Sequence, residues 1–163
     1  MNVIHKWGLV SVVVLLLSGI AVNVLYYLPR GQAVKAAEGV AKSNLAIINS
    51  QQRDFYKKYK KFALSSELTT TNLGRITISN KEPYKFQFYV LDSTKAIGTA
   101  TAKRDNIKSY TAIVFAISAI ETITNSEICV TDKPSRTPPK VPQVSGNVVE
   151  CPPGSSSLSS LSK

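Results

Sequence analysis

"EGVAKSNLAIINSQQRDFYKKYKKFA", running from Glu38 to Ala63, decides how this chain folds. Val34 and Ala37 just before it, and Ala41, Leu45, Ile48, Gln52, Phe55, Tyr59 and Phe62 within it, recur every three or four residues, an apolar stripe broken only by Gln52. That spacing lines one face of an α-helix, predicted here over residues 33–62. Lys42, Asn49, Arg53, Lys57 and Lys60 fall on the opposite face. The pattern describes a helix lying on something hydrophobic, with a basic side in water.

What it lies on is sought downstream. "SSELTTTNLG" (Ser65–Gly74) ends the helical pattern with turn and cap residues, and beyond it the period changes to two. In "PYKFQFYVLD", Tyr84, Phe86, Phe88 and Val90 share one face, with Lys85 and Gln87 on the other. "RITIS" (Arg75–Ser79), "AIGTATAK" (Ala96–Lys103), "SYTAIVFAISA" (Ser109–Ala119) and "TNSEICV" (Thr124–Val130) read as further strands, giving an antiparallel sheet over about 75–130. "SYTAIVFAISA" is apolar on both faces over its middle, as befits a central strand. The helix is the only cover the pattern offers, so the expected class is α+β, one amphipathic helix packed on a small antiparallel sheet.

Upstream, Trp7 to Leu28 reads "WGLVSVVVLLLSGIAVNVLYYL", 22 residues without a charge. As a helix it would be about 33 Å long, enough to cross a bilayer, and Trp7, Tyr26 and Tyr27 suit its two interfaces. A transmembrane helix over 7–28 is expected, preceded by a short flank, 1–6, and followed by a globular domain over 29–154. A cleaved secretory signal is the alternative, with "VKAAE" around Ala36 as its cleavage site. Lys6 before the run against Arg30, Lys35 and Lys42 after it slightly favours the head inside the cell, whereas the cysteines favour it outside.

Those cysteines, Cys129 and Cys151, are the only two, so one pairing is available. Bonded, they close a loop of about 23 residues and restrain the unfolded chain by roughly 3 kcal/mol. Two separate thiols are the alternative. Pro134, Pro138, Pro139 and Pro142 cannot feed a ladder of hydrogen bonds, so residues 131–154 read as a Pro-rich loop that needs a staple. The Ser-rich end, 155–163, reads as disordered.

Composition narrows the chemistry. His5 is the only histidine and lies at the edge of the apolar run, which leaves no Ser-His-Asp arrangement for the domain. Two distant cysteines match no zinc pattern, the carboxylates form no acid/base pair, and no phosphate-binding glycine loop occurs. No catalytic residue, cofactor, metal site or small-molecule substrate is expected. The net charge of +10 concentrates most in "RDFYKKYKKF". Arg53, Lys57, Lys58, Lys60 and Lys61 there are candidate contacts for nucleic acid or another acidic polymer, interleaved with Phe55, Tyr56 and Tyr59. Phe55 and Tyr59 belong to the apolar stripe, however, so nucleic-acid binding is the lesser reading.

Membrane run, amphipathic helix, antiparallel sheet and cysteine-bounded C-terminal loop together resemble a type IV pilin. Glu38–Ala63, "AKRDNIKSYTAIVFA" (Ala102–Ala116) and "ICVTDKPSRTPPKVP…VVECPPGS" (Ile128–Ser155) are similar to the type IV pilin-like G/H family, found mainly in cyanobacteria. The resemblance implies a non-enzymatic surface or envelope protein, structural or accessory to pilus or secretion machinery, with other pilin or secretion-system subunits as partners. Gly8 is followed by "LVSVVV" and no glutamate precedes Glu38, unlike a standard prepilin leader. A pilin-like head kept outside the cytoplasm on a single-pass anchor is therefore expected.

Overall fold

The computed structural model describes residues 30–71, 83–118 and 123–160. The flank 1–6, the apolar run Trp7–Leu28 and the strand expected at Arg75–Ser79 lie outside them. Among the described residues no helix is long and apolar enough to cross a membrane. The chain divides into two compact units, Met1–Ala36 and Ala37–Lys163, and the second contains the sheet.

Helix α1 spans Arg30–Tyr59, and a shorter α2 spans Ser65–Thr71. Strands β1 (Tyr84–Asp92), β2 (Lys95–Ala102), β3 (Tyr110–Ser118) and β4 (Ile123–Thr131) follow as an antiparallel meander. Gln143–Ser145 (β5) and Val148–Glu150 (β6) form a separate hairpin, and Ser155–Ser157 (β7) returns to pair with β4. The main sheet has the order β1-β2-β3-β4-β7, which makes β3 the middle strand, as its two-sided apolar run predicts.

Register assigns the faces. Phe88, Gly98 and Ala112 are in line across β1, β2 and β3, as are Val90, Ala96 and Val114. These residues point toward α1. A Cβ built on Gly98 would stand 3.2 Å from Leu45 Cδ2 and from two ring carbons of Phe88, so the absence of a side chain lets α1 approach β2 closely. Beside this contact Ile48 packs with Ala63, Leu68, Phe55 and Phe88. Tyr56 packs with Phe62, Ala96 and Val114.

The buried face of α1 is not quite the stripe expected from sequence. Ala41, Leu45, Ile48, Gln52 and Tyr56 are buried, whereas Tyr59 is 49% exposed. Asn49, expected in water, is buried as well. A stripe stepping 3.5 residues drifts about 20° per heptad around a straight helix, so its last members rotate off the contact and Tyr56 takes the place of Tyr59. The helix also ends at Tyr59, before the expected 62. Lys60 adopts a left-handed conformation (φ 57°) and donates its N–H to the Tyr56 carbonyl at 2.8 Å, a C-terminal cap.

That turn sends the chain back. Phe62 returns beneath Tyr56, ring centroids 4.7 Å apart. Gln52, the one polar member of the stripe, binds the returning backbone: its Nε2 donates to the Ala63 carbonyl and the Ala63 N–H donates to its Oε1, both at 2.9 Å. Glu67 then starts α2 by accepting the Leu64 N–H at 2.7 Å and the Lys61 ammonium at 3.0 Å.

Gly98→Ala is expected to destabilise the head by about 1 kcal/mol and Gly98→Val by more, because the added carbons must displace Leu45 or Phe88. Urea midpoints check this; an unchanged midpoint for the valine variant would mean that the helix does not seat there.

Candidate functional site

The second face of the sheet is covered by the C-terminal segment. Ile97, Ile113 and Phe115 point away from α1 and are buried under Val144 and Val149 of the β5–β6 hairpin. Helix α1 is therefore not the only cover, and the segment expected to have no sheet of its own contains a two-stranded one. Its turn places Gly146 (φ 59°) at the first central position, where a type II′ hairpin takes glycine.

Cys129 lies on this same face, beside Thr111 in register, and is bonded to Cys151 directly after β6. The disulfide thus holds the chain leaving the hairpin against β4. Pro152, Pro153 and Gly154 (φ 81°) then turn the chain along that strand, where Ser155–Ser157 pair with Thr131, Val130 and Cys129. These serines are consequently ordered, not a disordered tail: a stapled chain beside an unpaired strand edge finds its backbone partners there. Leu158 N–H continues the contact to the Ile128 carbonyl at 2.8 Å, and Ser159 Oγ donates to Glu127 at 2.9 Å.

Side-chain hydroxyls hold the proline segment. Ser109 Oγ donates to the Ser135 carbonyl at 2.5 Å and accepts the Ala102 N–H at 2.9 Å. Thr111 Oγ1 donates to the Pro139 carbonyl at 2.6 Å. Ser135 N–H donates to the Ile107 carbonyl at 3.1 Å, which seats the loop against the β2–β3 turn.

A second cluster fastens the helix to that turn. Glu38 Oε1 accepts the Lys108 N–H at 3.1 Å, and the Tyr84 hydroxyl donates to the Lys108 carbonyl at 2.8 Å. Tyr110, fully buried, directs its hydroxyl toward Glu38 and Tyr84 without closing a hydrogen bond of good geometry to either. Burial first, and the Glu38 charge second, raise both phenols well above the ordinary tyrosine range.

The basic residues expected to meet a polyanion gather at the other end of α1. Lys57, Lys58, Lys60 and Lys61 are exposed there and Arg53 is half-buried. Lys61 pairs with Glu67, and the Lys58 ammonium lies 5.0 Å from the Tyr59 ring centroid. Tyr56 and Phe55 are packed into the core beside them, which withdraws two of the three aromatics from stacking on a ligand. Among the described residues, no three of His, Cys, Asp and Glu come together in a metal-binding group.

The family model described as type IV pilin-like G and H matches residues 38–152, from the helix-fastening glutamate to the residue after Cys151. The chain belongs to this family. No curated protein and no solved structure matches it. In this pilin-like head, then, the matched segment takes in α1 from Glu38 onward, the meander and the disulfide-closed lobe. Sequence reading singled out the cysteines but missed Glu38, Ser109 and Thr111. Their roles depend on residues dozens of positions away, and only the unusual placement of hydroxyls beside a proline run hints at them.

Reduction, or Cys151→Ser, is expected to cost roughly 3 kcal/mol in urea unfolding. Amides of residues 143–150 should lose exchange protection before those of β2 and β3; simultaneous loss would show that the lobe is not a separable layer. Alkaline titration offers a second check. The raised phenols favour the neutral folded state, so their stabilisation is complete below the ordinary tyrosine value near 10 and is lost as pH rises beyond it. Absorbance at pH 11 should show Tyr84 and Tyr110 neutral in the folded protein, with both released only on unfolding.

Proposed function

We propose that this protein is a non-enzymatic envelope or surface component, structural or accessory to a pilus or secretion machine. It is held to the membrane by Trp7–Leu28 with its head outside the cytoplasm. The observation that carries the reading is the family match over residues 38–152, on a head built of one helix across an antiparallel sheet and a disulfide-closed lobe. Proteins of this pilin-like kind generally serve as structural subunits, not as enzymes. The cystine supports an oxidising, extracytoplasmic compartment, where such bonds persist. On α1, Val40 (45% exposed) and Ile47 (37%) leave an outward apolar strip on the side away from the sheet, a surface suited to other subunits of the same class.

The protein isolated from its native envelope without reductant should fractionate with membranes, resist alkaline carbonate extraction and retain the mass of the whole chain. Recovery only in the soluble fraction would overturn the anchored reading. Recovery in sheared filaments with a shortened N-terminus would replace it with that of a processed filament subunit.

A further inference from the structure

We infer that the end of the head formed by the β2–β3 turn and the proline segment is a docking face for the anionic headgroups of the bilayer in which the chain is anchored; this rests on the anchored reading above. Two segments distant in sequence are brought together there. The turn supplies Lys103, Arg104 and Lys108, and the loop supplies Lys133, Arg136 and Lys140. The bonds of Ser135 to Ile107 and to Ser109, and of Thr111 to Pro139, join the two into one surface. All six are exposed except Lys108, which is half-buried.

Three carboxylates share this end, and two are occupied by uncharged donors. Glu38 accepts the Lys108 N–H, and Asp132 accepts the Ser156 hydroxyl at 2.6 Å. Asp105 approaches Arg136 at 3.8 Å with both side chains well exposed, a contact of little strength. Cations therefore exceed anions two to one on this surface.

Connectivity limits how far this end can stand from the membrane. Glu38 fastens α1 to Lys108, so the basic end lies at the start of the head's share of the helix, opposite the lysines that follow Arg53. Ten residues connect Leu28 to Glu38, and from Arg30 onward they are helical. That chain spans at most about 20 Å. A headgroup layer reaches about 5–7 Å beyond the hydrocarbon, and a tether this short permits the basic end to come down on it. Clusters of such residues beside a membrane span are drawn to anionic lipid, and the attraction falls off with salt.

The test uses the full chain in liposomes of phosphatidylcholine alone or with 30 mol% phosphatidylglycerol (about one lipid in three, a composition at which basic clusters bind). Amide exchange across 103–108 and 132–140 should slow on the order of tenfold on the anionic liposomes alone, and recover at high salt. The variant R104E/K133E/K140E should lose the effect while its β3 amides stay protected, which shows that it is folded. Equal protection on neutral liposomes, or protection retained by the variant, would overturn the inference, as would slowing produced in detergent by single-stranded DNA but not by the anionic bilayer. Carbonate extraction of the same liposomes separates the two readings. A chain extracted from both overturns anchoring and the inference with it, whereas an embedded chain without protection overturns the headgroup contact alone.

Discussion

Strands β2 and β3 are apolar on both faces, and both faces have to be covered. Ala96 and Val114 meet α1, while Ile97, Ile113 and Phe115 look the other way. A hairpin of three-residue strands is at best marginal alone in water. Here it is held by valines that fit the sheet and by a disulfide that leaves little room to depart. The covalent bond and the hydrophobic contact are thus one device: the bond shortens the search, and Val144 and Val149 supply the reason to stay.

The same economy appears wherever backbone partners run out. In the proline loop Thr111 supplies a hydroxyl to the carbonyl of Pro139, which has no N–H of its own, and Ser109 supplies one to the carbonyl of Ser135. Gln52 sits in the middle of an apolar helix face because its amide presents the donor and acceptor that the Ala63 peptide needs. Leaving either peptide group buried and unmet would cost about 1–3 kcal/mol. These polar side chains are therefore structural in the same sense as Leu45 or Phe115.

Helix, strands β1 to β4 and the position of the cystine were legible because each is written in local periodicity or in a residue type with one partner. What was not legible depended on contacts across the chain. Tyr56 and Tyr59 cannot be ranked from spacing alone, since the outcome depends on how far the helix drifts over the sheet. Ser155–Ser157 have no strand propensity to speak of; they pair because Cys151 delivers them to the edge of β4. The β5–β6 hairpin carried the right turn residues, Gly146 and Asn147, yet the surrounding prolines masked it. The polyanion candidates around Lys57 were read from density of charge, whereas the end around Lys103 and Lys133 is assembled only by folding.

Charge closes the account of why the surface is so basic. Among the described residues, carboxylates are mostly engaged by backbone and hydroxyl donors. Glu38 takes the Lys108 N–H, Glu67 the Leu64 N–H, Asp92 the Thr94 N–H and Asp132 the Ser156 hydroxyl. These bonds shape turns and helix starts at short range, where a charged acceptor is strongest. The ion pairs of Lys61, Lys95 and Arg136, by contrast, are exposed and weak. Exposed cations gather in two places along the head's part of α1, around Lys57 and around Lys103. A fold that spends its anions internally presents its cations to whatever lies outside, and the length of α1 between Glu38 and Lys57 keeps those two displays about 28 Å apart.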